Sequence, residues 1–170
     1  GIEIRKITTT GDKITDRPLA DVGGKGLFVK ELDEELLGGR IDIAVHSTKD
    51  IPGEIHEELV IAAILPREDP RDAFLSVKYT SFAALPEGSR IGTSSPRRRA
   101  IILNRRPDLI VEPLRGNLPT RIARLQNGEV DATLLAVAGL NRLGLSAKIT
   151  EILEPEIFIP AIGQGAISVM

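Results

Sequence analysis

Cysteine is missing from all 170 residues, which excludes disulfides, thiolate metal sites and a cysteine nucleophile within this chain. Tryptophan is missing as well, and one Tyr and four Phe are too few for a base-stacking surface. Two histidines, His46 and His56, do not make a structural zinc site, and no metal site is expected. No apolar run reaches membrane-spanning length and no signal-type segment opens the chain, so a soluble, cytoplasmic protein without a membrane partner is expected. Neither sign of charge dominates. A net charge of −2 argues against a general nucleic-acid binder.

Against this even balance, charge is unevenly placed. Residues 97–142 hold nine arginines and no lysine, opposed only by Asp108, Glu112, Glu129 and Asp131. Arginine used alone favours planar, two-pronged recognition of carboxylate or phosphate. The segment Thr93-Ser94-Ser95-Pro96-Arg97-Arg98-Arg99 reads as a strand end, a helix cap and three arginines on the first helical turn. A helix amino terminus already carries unpaired N–H groups and partial positive charge, so guanidinium groups gathered there call for an anion. Leu114-Arg115-Gly116-Asn117-Leu118-Pro119-Thr120-Arg121 repeats the pattern. Arg97, Arg98, Arg115 and Arg121 are therefore candidate ligand contacts, whereas Arg105, Arg106 and Arg124 fit solvated helix faces.

With 42% hydrophobic residues the chain can bury a core, and one or two small domains fit its length. Strand-like and helix-like segments alternate. Strands are expected at 2–10, 41–45, 59–64, 73–77, 90–93, 109–111 and 132–137. Helices are expected at 26–37, from Ser95 to before Pro107, and from Leu118 to Gly128. The alternation predicts an α/β fold with mostly parallel sheets. Proline-bearing spots at 66–70 and 155–160 mark hinge candidates. They divide the chain into a first domain at 1–67, to which the chain returns at 161–170, and a second at 68–160. Two α/β lobes joined by two crossings create a cleft where ligands usually sit.

His46-Ser47-Thr48-Lys49-Asp50-Ile51-Pro52 follows an expected strand, where α/β folds place functional loops. Ser47 and Asp50 there either organise a turn or belong to a site in which Lys49 meets an anion and Asp50 faces a cation. His46 fits a core or supporting position, since no G-x-S-x-G elbow accompanies it. His56 sits in a polar loop with no role. The glycine-rich segment at 22–26 departs from a phosphate loop, because Lys25 is followed by Gly26 rather than Ser or Thr.

Thr9-Thr10-Gly11-Asp12, Gly24-Lys25-Gly26-Leu27-Phe28-Val29-Lys30-Glu31-Leu32, His46-Ser47-Thr48-Lys49-Asp50, Gly92-Thr93-Ser94-Ser95-Pro96-Arg97-Arg98, Leu114-Arg115-Gly116-Asn117, Ala136-Val137-Ala138-Gly139-Leu140 and Ile162-Gly163-Gln164-Gly165-Ala166 occur in this order. Together they resemble the porphobilinogen deaminase (hydroxymethylbilane synthase) family over nearly the whole chain. The resemblance implies a transferase of tetrapyrrole (heme) biosynthesis that joins four porphobilinogen units head to tail and releases ammonia each time. It implies two lobes like those of periplasmic binding proteins, followed by a third domain. The product grows on a dipyrromethane cofactor bound through a thioether to a cysteine of that domain.

By the same resemblance Asp50 is the catalytic carboxylate, stabilising the azafulvenium cation left when ammonia departs. Lys49, Ser95, Arg97, Arg98, Arg115 and Arg121 match positions holding acetate and propionate side chains. Ser47, Thr93, Ser94 and Gln164 match cofactor-site positions, Arg142 a further carboxylate contact, and Phe28 a residue stacked near the pyrrole rings.

The family's amino-terminal strand and its third domain, with the cofactor cysteine, are absent from this sequence. A truncated form, inactive alone, is therefore expected, and a monomer. A non-catalytic two-lobed module for an anionic solute is the alternative reading. Binding to nucleic acid through the arginines is the weakest.

Overall fold

The computed structural model describes residues 1–13, 26 and 28–170, with the backbone alone at Asp12 and Lys13. The glycine-rich segment read at 22–26 therefore lies, but for Gly26, outside the described residues, as does Leu27. The chain forms two compact units. The first comprises 1–67 with 166–170, and the second 68–165. Residues 161–165, assigned from the sequence to the returning segment, thus belong to the second unit. Among the described residues no helix is long and apolar enough to cross a membrane.

In the first unit, helical turn α1 (Thr10–Lys13) and helix α2 (Lys30–Leu37) precede strands β1 (Val45–Ser47) and β2 (Ala63–Ile64). The sheet is completed by β8 (Ile167–Val169), which lies between them and runs antiparallel to both. Thr10 donates from its backbone N–H (2.8 Å) and from its hydroxyl to the Glu31 carboxylate, tying α1 to α2. Side chains alternate across the sheet. His46 and Ser168 share one face and are buried, whereas Val45 on the opposite face is exposed.

The strand expected at 2–10 does not form. Residues 2–9 have no regular structure, Ile2 and Ile4 are exposed, and a helical turn begins at Thr10. Alternating isoleucines make a strand only where a neighbour takes up the backbone groups, and none of the described strands pairs with this segment. The buried strands expected at 41–45 and 59–64 shrink to β1 and β2, with Ile43, Val60 and Ile64 exposed.

The second unit is built on five strands: β3 (Asp72–Ser76), β4 (Arg90–Gly92), β5 (Ile110–Glu112), β6 (Ala132–Ala136) and β7 (Glu151–Ile152). Their order is β5-β4-β6-β3-β7. Helix α3 (Pro96–Arg105) connects β4 to β5, α4 (Leu118–Gln126) connects β5 to β6, and α5 (Val137–Arg142) follows β6 directly. Period-two alternation separates two cores. Phe74 and Leu134 join Ile91 and Ile102 on one side. Ala73, Leu75 and Leu135 join Leu114, Ile122 and Leu140 on the other. Helices thus cover both faces, the layering of an α/β domain.

The sheets are mixed, which corrects the expectation of mostly parallel ones. Only β4 pairs parallel, with β5 and with β6, while β3 runs antiparallel to β6 and β7, as β8 does to its neighbours. Strands β4, β5 and β6 follow one another through the crossover helices α3 and α4, which makes them run in one direction. Strands β3 and β8 are where the chain enters one unit from the other, so no βαβ crossover sets their direction.

Candidate functional site

In the first unit β1 runs into a 3-10 turn, Thr48–Asp50, before Pro52 stops any continuation. The turn is fixed by Thr48, whose N–H donates to the Ala166 carbonyl (3.1 Å) and whose hydroxyl pairs with Ser168 Oγ (2.8 Å). This leaves Ser47, Lys49 and Asp50 exposed. Lys49 and Asp50 line a depression of about 550 Å³ with Gly26, Pro52 and Glu54. One ammonium and two carboxylates at one opening suit a ligand that carries both acid arms and N–H donors.

Phe28 is partly exposed, and its ring edge lies so close to Gly11 that a Cβ there would come within 2.5 Å of it. His46 is buried beneath β1, and its Nε2 meets no hydrogen-bond partner among the described residues. Burial pushes its pKa down against the opposing pull of Asp33 and Asp50, so the neutral ring is favoured. His56 is exposed and its Nδ1 accepts from the Glu58 N–H.

In the second unit the predicted residues other than Gln164 lie on the loops and helices that follow the carboxyl ends of β4, β5 and β6. Because β5 and β6 flank β4, this is where strand order reverses, the place at which open α/β sheets bind ligands. Thr93 Oγ1 accepts from the Ser95 N–H, and Ser94 Oγ donates to the Leu114 carbonyl (each 3.2 Å). Ser95 caps α3 by accepting from the Arg98 N–H, with Pro96 at the first helical position. On the neighbouring loop Gly116 takes φ +106°, a conformation that L side chains rarely adopt. Asn117 caps α4 by accepting from the Thr120 N–H (2.9 Å), and Arg121 Nε donates back to the Gly116 carbonyl (2.7 Å). Arg115 and Arg121 are half-buried on this loop and the helix it starts.

The arginines of α3 meet an anion that belongs to the protein itself. Asp72, fully buried at the start of β3, accepts from Arg98 Nη2 (2.7 Å), Arg97 Nη2 (2.8 Å) and Gln164 Nε2 (2.8 Å). Arg97 Nη1 also donates to the Ile159 carbonyl, and Arg98 Nη1 to that of Leu134. Arg99 turns away to the Val111 carbonyl. Burial pushes the Asp72 pKa up, but Arg98, Arg97 and Gln164 together outweigh it and hold the carboxyl below its ordinary value. The Nε groups of Arg97 and Arg98 are buried with no hydrogen-bond partner among the described residues. An unmet buried donor of this kind is costly, and an acceptor reaching it is rewarded.

Gln164 also donates to the Pro70 carbonyl (2.6 Å), and Arg142, at the end of α5, donates to the Gly165 carbonyl (2.6 Å). The structure thus brings Thr93, Ser95, Arg97, Arg98 and Gln164 into one connected group, with Ser94 linking it to the loop of Arg115 and Arg121. Ser47, Lys49, Asp50 and Phe28 belong to the other unit. Sequence reasoning missed Asp72. The available signal was an acid opening an otherwise apolar strand, Ala73-Phe74-Leu75. As for the remaining arginines, Arg124 pairs with Glu129 on the surface, whereas Arg106, expected on a solvated helix face, is half-buried, pairing with Asp108 and donating to the Leu85 carbonyl.

A family model described as porphobilinogen deaminase, dipyromethane cofactor binding domain, matches residues 1–170. A porphobilinogen deaminase of Nitrobacter hamburgensis is 57% identical over 168 residues, covering 99% of this chain and 53% of the relative. The chain therefore spans about half the length of that curated relative. Among solved structures, a periplasmic binding protein of Salmonella typhimurium aligns with a TM-score of 0.44 at 15% identity, covering 60% of this chain and 47% of that one. A periplasmic domain of BvgS from Bordetella pertussis aligns with a TM-score of 0.44 at 18% identity, covering 83% of this chain and 59% of that one.

Proposed function

The chain belongs to the porphobilinogen deaminase family, whose dipyrromethane-binding domain model matches residues 1–170, and on that premise we propose that it forms the cofactor- and substrate-binding part of a deaminating transferase. The whole protein joins four porphobilinogen units head to tail into hydroxymethylbilane, releasing one ammonia per unit, in tetrapyrrole synthesis. The observation that carries this reading is the adjacent, exposed pair Lys49 and Asp50 on a rigid turn at the mouth of a depression.

The residues present suit the cofactor. In the second unit, two orphaned guanidinium N–H groups at Arg97 and Arg98 match a ligand bearing carboxylates, and in the first unit the Lys49 ammonium does so by itself. When bound, the dipyrromethane supplies the pyrrole end to which substrate units are added. This chain holds no cysteine, so the thioether that anchors the cofactor is made elsewhere. In the second unit Thr93, Ser94, Ser95 and Gln164 are the cofactor contacts, and in the first unit Ser47, at the end of β1, is another. Arg97, partly exposed, receives a carboxylate arm, and Arg98, set deeper, adds its charge and its Nε donor.

Asp50 faces the substrate ring. Its negative charge favours the transition state in which ammonia leaves and positive charge spreads over the pyrrole, and its oxygens accept the pyrrole N–H. Arg115, Arg121 and Arg142 of the second unit are contacts for acetate and propionate arms, as is Lys49 of the first, where Phe28 offers a ring for stacking. Each added unit brings two further carboxylates, which is why a binding region for a growing polyanion relies mainly on arginine.

The test is to supply the intact protein, loaded with cofactor, with porphobilinogen. Ammonia release in step with a product that cyclises to coloured uroporphyrin is expected. A folded, loaded protein that binds porphobilinogen but releases no ammonia would instead establish a solute-binding module.

A further inference from the structure

The anion that the arginine row of α3 meets first is a side chain of the same unit, and its placement goes beyond what a structural ion pair needs. Asp72 is fully buried, and its two oxygens are divided between different guanidinium groups, Oδ2 to Arg97 and Oδ1 to Arg98. Oδ1 takes a third hydrogen bond from Gln164. One carboxylate thus holds three side chains from two places in the sequence, the first turn of α3 and the segment before β8. It leaves the group with a net positive charge of one.

The pairing uses Nη atoms of both arginines and spares both Nε atoms, which stay buried without a partner among the described residues. A carboxylate introduced only to neutralise one arginine would leave the second free to swing. Here both guanidinium planes are fixed before any ligand arrives. Fixing long side chains in advance removes their ordering cost from the binding step.

We propose that Asp72 is a positioning residue that presets Arg97 and Arg98, with Gln164, to receive ligand carboxylates. The inference rests on the reading of Arg97 as a carboxylate contact. Asp72 itself touches neither substrate nor cofactor. Its role is to keep two guanidinium groups parked and one unit of positive charge uncompensated.

The experiment uses the intact protein and the variants Asp72→Asn, Arg97→Leu and their combination. Porphobilinogen binding to the cofactor-free form is read by calorimetry, KM and kcat on the loaded form, and the share of molecules carrying cofactor by intact mass. Asp72→Asn keeps the volume, and is expected to weaken porphobilinogen binding and raise KM about tenfold, with a smaller change in kcat. The combined variant is expected to be no weaker than Arg97→Leu alone, because Asp72 acts through the arginines. A folded Asp72→Asn protein with wild-type affinity, or losses that multiply in the combination, would overturn the inference. Wild-type kinetics and binding in Arg97→Leu itself would instead remove the reading beneath it. Should Asp72→Asn fail to fold, Gln164→Met takes its place: a smaller rise in KM that vanishes beside Arg97→Leu supports the inference, and an unchanged KM overturns it.

Discussion

Arg98 donates from Nη2 to Asp72 Oδ1 at 2.7 Å, and the carboxylate that receives it is wholly buried. This pair fixes the start of α3 to the start of β3 inside the second unit. It also changes what the arginine row signifies. Asp72 supplies one negative charge against the two guanidinium groups of Arg97 and Arg98, so part of the anion that the row calls for is built into the protein.

The pair makes the stability of the protein sensitive to acid. The folded-state pKa of Asp72 lies below its ordinary value of 3.8. Its stabilising contribution is therefore complete above that value and is lost as pH falls through the folded-state pKa. Asp72→Asn is expected to destabilise the intact protein by roughly 3 kcal/mol at neutral pH, because a buried guanidinium loses its partner. The gap between the two proteins should close as the pH is lowered below 4, measured by urea unfolding. A gap that stays constant with pH would show that the carboxylate charge is not what stabilises.

Gly165 is the second point where geometry dictates the residue. Its φ is +92°, and a Cβ there would lie 2.3 Å from the Glu68 carbonyl oxygen. Gly88 has φ +75° but open space around it. Gly88→Ala is expected to cost about 1 kcal/mol from backbone strain alone. Gly165→Ala adds a clash with the Glu68 backbone and should cost at least about 2 kcal/mol more. Equal shifts in Tm for the two variants would refute the steric argument.

Asn117 gives a third check. Its side-chain oxygen accepts from both the N–H (2.9 Å) and the hydroxyl (2.7 Å) of Thr120 at the start of α4. Asn117→Ala is expected to lower stability by about 1 kcal/mol and Asn117→Ser by much less. The comparison is made by chemical denaturation. Equal losses in both would mean that something other than capping holds the helix end.

Features set by local chemistry were legible in the sequence. Ser95 and Pro96 announced the start of α3, and Asn117 and Gly128 bracketed α4, because caps and stops act within a few residues. Features set by partners distant in the chain were not. The direction of β3 depends on pairing with β6, some sixty residues on, and no periodicity carries that information. Ile2 and Ile4 looked like a strand because alternation says nothing about whether a neighbour is there. Strand β6 ends one residue before the expected 137, since Val137 is as apolar in α5 as in a strand. For the candidate site, the arginines and the Lys49-Asp50 turn stood out by residue type. Asp72 did not, because an acid at a strand start gains its meaning only from the two arginines folded against it.

The central claim is that the charge of Asp50 supports departure of ammonia from the substrate. It is tested most directly by single-turnover ammonia release from the intact, cofactor-loaded protein carrying Asp50→Asn, an isostere without the charge. A loss of about a hundredfold or more in rate, with porphobilinogen still bound and the fold unchanged, is the predicted result. Release within a few-fold of the wild-type rate would contradict it.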